Sequence, residues 1–355
     1  MGGFILNGKY AIGRTVKVIE DKNRKELFTG EKETRSFPVS IFYPTVERTG
    51  EQERNLTSLF YPAIKKAVEF FGNAGISEEK LNEIKIPVKE NAKPVQGSSF
   101  PIVLLSPGFG IDRDLYMETM TALVQKGIVV VTLSVPYDSL FTIYPDNKVI
   151  PQADRFPDDR IQVNTRVEDI CLVLDYLEKW NQRGSFEGIF DLEKIGLIGH
   201  SLGGAAVFNV AAIDNRVKGA VLLDASMHLI GDVMPNVPIL NLRQEAASYE
   251  EYLTVIGDDQ EKARSYLMNQ QRMYRMLQSG SLFMKVVGAN HLTFSTLGTL
   301  IFGTNPVVSD AILEAVSTFF EGLFNSRIKL PGQRIKNKNL VEINGSGHPI
   351  HNHRD

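Results

Sequence analysis

The sequence predicts an α/β fold, a mostly parallel eight-stranded sheet flanked by helices, with lid-like helical insertions. Two observations lead there. Short runs rich in Val, Ile and Leu recur at 102–105, 128–133, 195–198, 220–223, 239–242 and 282–287, with the unbroken apolar character of strands buried on both faces. Helical patterns separate them, and strands that alternate with helices assemble into a parallel sheet covered on both sides.

Two further extended runs, 16–19 and 38–43, precede these six and bring the count to eight; separated by turn residues, they suit an antiparallel start. A helix over 114–126 begins with an acidic residue and stops at Gly127. The next, 165–180, belongs to a stripe of Val163, Val167, Ile170, Cys171 and Leu174, which puts the single cysteine in the core, and one cysteine excludes an internal disulfide. A third helix starts at Ser201, and the last, 309–323, gathers Ile312, Val316, Phe319 and Phe320 on one face.

Two stretches break the alternation. In 55–95, Phe60, Ile64, Val68 and Phe71 fall at helical spacing beside Lys65 and Lys66; this amphipathic helix is expected to pack on the core, with a substrate- or membrane-facing flap as the alternative. The second, 246–278, carries Tyr249, Tyr252, Leu253, Tyr266, Leu267, Met273 and Met276 and reads as a lid or pocket wall. Residues 1–327 are expected to form one domain. Residues 328–355 turn polar and read as a tail with little core of its own.

Of the 355 residues, 43% are hydrophobic and 23% charged, a balance that supports a large folded core. The net charge of -3 gives no electrostatic reason to expect nucleic acid, which needs clustered Lys and Arg across a face. No basic lead with an apolar run opens the sequence, and no apolar stretch approaches about 18 residues, so a cytoplasmic protein is the expectation.

The strongest local signal is Gly199-His200-Ser201-Leu202-Gly203-Gly204, between an apolar strand and an apolar helix. A serine raised above a sheet needs a turn so tight that the positions two before and two after it lack side chains, and Gly199 and Gly203 meet that need. A serine hydroxyl also needs a base to act as a nucleophile. Where such an elbow occurs, the chain order is serine, acid, histidine, with the histidine after the last strand. Of six histidines, His291 follows the 282–287 run; His200 and His228 read as structural, and His348, His351 and His353 as solvated tail residues.

Two acids compete: Asp224, at the tip of Val221-Leu222-Leu223, and Glu245, just past the 239–242 run. Strand tips are where the functional groups of a parallel sheet collect, which favours Asp224. An oxyanion needs backbone donors, which the amides of Leu202 and of Phe109, in Ser106-Pro107-Gly108-Phe109-Gly110, can supply. This chemistry calls for no metal and no organic cofactor.

Together these motifs resemble the platelet-activating factor acetylhydrolase family, the lipoprotein-associated type of α/β-hydrolase. The opening Gly13-Arg14-Thr15-Val16 and Pro38-Val39-Ser40-Ile41-Phe42-Tyr43-Pro44, the step Gln125-Lys126-Gly127-Ile128, the elbow, Leu223-Asp224-Ala225 and Gly288-Ala289-Asn290-His291 are similar to that family's segments. The resemblance covers roughly 10–325 and carries the acid to Asp224. It implies a serine carboxylic ester hydrolase acting on short acyl esters, among them those of phospholipids, with transient contact at a lipid interface. Leu202 departs from the family's aromatic after the serine, and Ser106-Pro107-Gly108 replaces a His-Gly start with the form found in bacterial polyester hydrolases and related lipases. A broad esterase or lipase is therefore the alternative, and a non-catalytic binding relative the alternative of another class.

Overall fold

Alternating side chains in the first described segment build a long hairpin: β1 (Ala11–Glu26) pairs antiparallel with β2 (Gly30–Thr45). On β2, Phe37, Val39, Ile41 and Tyr43 face one core while Phe42 faces the other, the period-two consequence of a pleated strand. This computed structural model describes residues 10–47, 54–277, 280–325 and 335–350.

The chain continues through β3 (Arg54–Asn55), a 3-10 turn at Leu56–Phe60, α1 (Ile64–Asn73), α2 (Glu78–Glu83), β4 (Lys85–Ile86) and β5 (Val88–Glu90). Next come β6 (Phe100–Ser106), α3 (Met117–Gln125), β7 (Val129–Leu133), a small hairpin of β8 (Phe141–Ile143) and β9 (Val149–Pro151), and α4 (Asp159–Gln182). Then β10 (Phe190–His200), α5 (Leu202–Ile213), β11 (Val217–Leu223) and β12 (Ile239–Arg243) follow. The last elements are α6 (Tyr249–Val255), α7 (Gln260–Met276), β13 (Leu282–Val286), α8 (Thr296–Phe302), α9 (Pro306–Phe324) and β14 (Leu340–Glu342).

Ten strands form the main sheet in the order β14-β13-β12-β11-β10-β6-β7-β2-β1-β5. From β7 to β13 the neighbours are parallel. The eight predicted strands are all present; β5 and β14 extend the edges. At three residues each, these two are too short to produce a readable period. Along β6, Ile102 and Leu104 face the core shared with α4 and α5, while Val103 and Leu105 face the one shared with α3 and α9. Two buried faces explain the unbroken apolar runs.

The 55–95 stretch packs on the core, as its apolar spacing predicts. Phe60 and Phe71 each meet Phe141 edge to face at 5.4 and 5.3 Å, and Lys65 and Lys66 stay exposed. Burial of each such ring contributes about 1.5–3 kcal/mol.

The tail is where expectation and structure part. Within 328–355, residues 340–342 add β14 antiparallel to β13, and Leu340 and Ile343 are buried. An edge strand flanked by Lys and Asn carries too few apolar residues to stand out in a polar stretch. His348 is exposed, and His351 and His353 lie outside the described residues. Cys171 is half-buried on α4, and burial pushes its thiol up to about 11. No described helix is long and apolar enough to cross a membrane.

Candidate active site

The turn from β10 to α5 forces Ser201 into a backbone conformation unusual for a side-chain-bearing residue, φ 54° and ψ -120°. Close approach enforces it: a Cβ on Gly199 would lie 2.3 Å from the Gly203 carbonyl oxygen, and one on Gly203 would lie 2.3 Å from that of Ser106. The strained turn is held from β11 and the loop beyond it. The Ser201 N–H donates to the Leu223 carbonyl at 3.1 Å, and the Ser226 N–H donates to the Ser201 carbonyl at 2.9 Å. Such strain persists only where surrounding contacts over-determine it.

Three sequence-predicted residues meet here. Ser201 Oγ lies 3.0 Å from His291 Nε2, and His291 Nδ1 lies 2.5 Å from Asp224 Oδ2. His291 opens a 3-10 turn after β13 that Asn290 caps through the amides of Leu292 and Thr293. A carboxylate only accepts, so the imidazole proton belongs on Nδ1 and Nε2 faces the serine hydroxyl as an acceptor. Burial alone would raise the Asp224 carboxyl. The Arg243 charge, the His291 hydrogen bond and the Gln244 amide outweigh it and hold the group well below the usual carboxylate range.

Glu245, the rival acid, stands elsewhere. Its Oε2 accepts from the Gly288 N–H at 3.1 Å and its own N–H donates to Ala289 at 3.0 Å, which ties the loop after β12 to the one carrying His291.

The two predicted donor segments also converge. Leu202 is the first residue of α5, and amides in the first turn of a helix have no intrahelical acceptor. Gly108 packs so closely on the elbow that a Cβ there would lie 3.3 Å from Ser201 Cβ, which brings the adjoining Phe109 amide alongside. The Phe109 side chain, 40% exposed, meets Phe156 edge to face at 4.7 Å; Phe156 also meets Phe28, which stacks on Tyr137 at 4.9 Å.

Several residues that support this site were missed by the sequence reading. Arg166, fully buried on α4, donates to the Pro107 carbonyl at 3.0 Å and to Asp138 at 2.7 Å, while Asp138 accepts from the Gly110 N–H at 3.4 Å. Together they pin the Phe109 turn. Arg166 falls between Val163 and Ile170 on the buried face of α4, and a cation on an apolar stripe was the available signal. The Tyr116 hydroxyl accepts from the Gly108 N–H at 2.8 Å and lies 3.0 Å from His200 Nδ1; His200 Nε2 donates to the His291 carbonyl at 2.9 Å. Burial, with His291 adjacent, pushes His200 down to about 3, which leaves it neutral. Arg243 was also missed, and its Nη1 lies 2.6 Å from Asp224 Oδ1.

Comparisons with known proteins bear on the fold and the class of chemistry. Residues 102–355 match the model of the alpha/beta hydrolase family, and the chain belongs to that family. It is a serine-type ester hydrolase, and residues 5–148 match the model of platelet-activating factor acetylhydrolase, isoform II. A platelet-activating factor acetylhydrolase of Cavia porcellus is 20% identical over 88% of this chain and 74% of its own length. A probable 1-alkyl-2-acetylglycerophosphocholine esterase of Arthroderma benhamiae is 25% identical over 36% of this chain and 32% of its own. Among solved structures, a ferulic acid esterase from Streptomyces cinnamoneus shares the fold, with a TM-score of 0.73 at 19% identity, covering 95% of this chain and 97% of that one.

Proposed function

We propose that Ser201, His291 and Asp224 carry out ester hydrolysis through an acyl-enzyme, on short acyl esters that include those of glycerophospholipids. The observation that carries this is the continuous hydrogen-bonded chain from Ser201 Oγ through His291 to Asp224. In this reading His291 Nε2 takes the hydroxyl proton as Oγ attacks the ester carbonyl. The amides of Phe109 and Leu202 receive the oxyanion, and Asp224 orients and stabilises the imidazolium. His291 then gives the proton to the leaving alcohol, and water clears the acyl group by the same route. Similarity to acetylhydrolases over most of the chain supports the short acyl group. Exposed Ile301, Phe302 and Val307 at the α8–α9 turn suit brief contact with a lipid surface.

One observation favours a broader esterase instead: the aromatic group of Phe109, Phe156, Phe28 and Tyr137 borders the oxyanion turn and suits a larger apolar substituent. Rates on p-nitrophenyl acetate, butyrate and octanoate separate the two. Preference for acetate supports the acetylhydrolase reading, and preference for octanoate the broader one. Ser201→Ala is expected to lower kcat at least ~10³-fold and Asp224→Ala by ~10²–10⁴-fold, while Glu245→Ala retains most activity. Failure of a fluorophosphonate probe to label Ser201 would instead favour a non-catalytic binding relative.

A further inference from the structure

Behind the carboxylate that holds His291 stands a cation the hydrolysis scheme does not require. Arg243 ends β12 with its side chain fully buried, and its Nη1 approaches Asp224 Oδ1 at 2.6 Å, an ionic contact rather than an aligned hydrogen bond. The opposite oxygen, Oδ2, serves His291. The guanidinium lies over the Tyr266 ring at 4.2 Å and near that of Tyr252 at 5.3 Å, and its Nη2 donates to the Ala246 carbonyl at 3.3 Å. Tyr252 sits on α6 and Tyr266 on α7, so the helices inserted between β12 and β13 grip the group that grips the acid. Guanidinium over aromatic faces gains most where water is excluded.

We propose that Arg243 is a positioning residue for Asp224, held by Tyr252 and Tyr266, and that it offsets the Asp224 charge felt by His291 so that hydrolysis persists to more acidic pH. The inference rests on the catalytic reading of Ser201, Asp224 and His291 given above. In a triad whose acid has no cationic partner, the whole carboxylate charge stabilises the imidazolium formed during attack. With a cation on its far oxygen, the carboxylate presents a dipole, and the imidazolium forms at a smaller electrostatic advantage.

Among the described residues, other ionisable groups around His291 are few. His200 is neutral, with ring centroids 4.8 Å apart; Glu245 reaches only the Gly288 amide; α8 contains no ionisable residue; and α9 presents Val308 to Gly288. On the arginine's side, Glu251 of α6 is paired with Lys285.

The test is the pH profile of kcat and KM on p-nitrophenyl acetate for the full chain and for Ser201→Ala, Arg243→Gln, Arg243→Lys, Tyr266→Phe and Tyr266→Leu. Arg243→Gln is expected to move the acid-side half-maximum up by about 0.5–1 pH unit and to lower kcat, with KM within about twofold. Arg243→Lys keeps the acid limb and loses part of kcat. Tyr266→Phe, which retains the ring and drops a buried hydroxyl without a partner, matches the parent; Tyr266→Leu lowers kcat without moving the limb. A folded Arg243→Gln with the parent profile overturns the proposal. Should that variant not fold, parental kcat in both Arg243→Lys and Tyr266→Leu overturns it equally. An active Ser201→Ala sinks the underlying reading of the site, whereas an inert Ser201→Ala beside an unshifted Arg243→Gln sinks only the role of the arginine.

Discussion

His200 joins the Ser201 turn to the other two parts of the site, through Tyr116 to the Gly108 turn and through its own Nε2 to the His291 carbonyl. Its ring is neutral when folded, held at about 3 by burial, against about 6.5 in an unfolded chain. As pH falls below about 6.5 the unfolded chain takes up a proton that the folded protein refuses, so stability declines progressively until pH approaches 3. At pH 5 this linkage removes on the order of 2 kcal/mol relative to pH 7. His200→Asn is expected to lower stability at pH 7, since it disturbs a buried network, yet to flatten the decline between pH 7 and pH 5 by about that amount. Urea denaturation at the two pH values measures both, and a variant whose pH slope equals the parent's would mean that another group supplies it.

At the scale of elements, β14 shows what a short strand contributes. Ile343 follows it, is fully buried, and donates its N–H to the Phe283 carbonyl on β13. Ile343→Ala is expected to cost about 2–4 kcal/mol, read as a lowered denaturation midpoint, with catalysis of the folded protein retained. A midpoint unchanged within error would show that this edge is not part of the cooperative core. The same contrast explains what was legible in the sequence. The elbow was readable because its sterics demand glycine at two fixed positions around the serine. The order of Ser201, Asp224 and His291 was readable because each follows an apolar run long enough to recognise. β5 and β14 were not, since three residues carry no period. Nor was Arg243, because an arginine at a strand end reads as a solvated cap until the fold brings α6, α7 and Asp224 around it. Tyr116 was hidden likewise: it meets His200, 84 residues later, only once β6 and β10 lie side by side.

Across the whole molecule, buried charges fasten the hairpin of β1 and β2 to the helix layer that supports the site. Arg35 of β2, buried, binds Asp169 of α4 at 2.5 Å and Glu26 at 2.8 Å, and Arg24 of β1 reaches the same aspartate at 2.7 Å. One turn earlier on α4, Arg166 holds the Pro107 carbonyl of the turn that carries Phe109. Buried ion pairs add little net stability over an apolar substitute, but removal of one partner strands the other charge at a cost of about 3–5 kcal/mol. Asp169→Ala should therefore lower the melting temperature by several degrees, and Asp169→Asn by less, because the amide oxygen still accepts from Arg35. Arg35 keeps Glu26, and Arg24 keeps Asp21 and Glu168, in both variants, which limits the loss to part of each cation's pairing. If the cluster only fastens the hairpin, kcat/KM of both variants at 25 °C stays within about threefold of the parent while stability falls. A large loss of kcat with little change in melting temperature would mean instead that α4 transmits its position through Arg166 to the Phe109 amide, so that a charge cluster in the outer layer sets the geometry of the oxyanion turn.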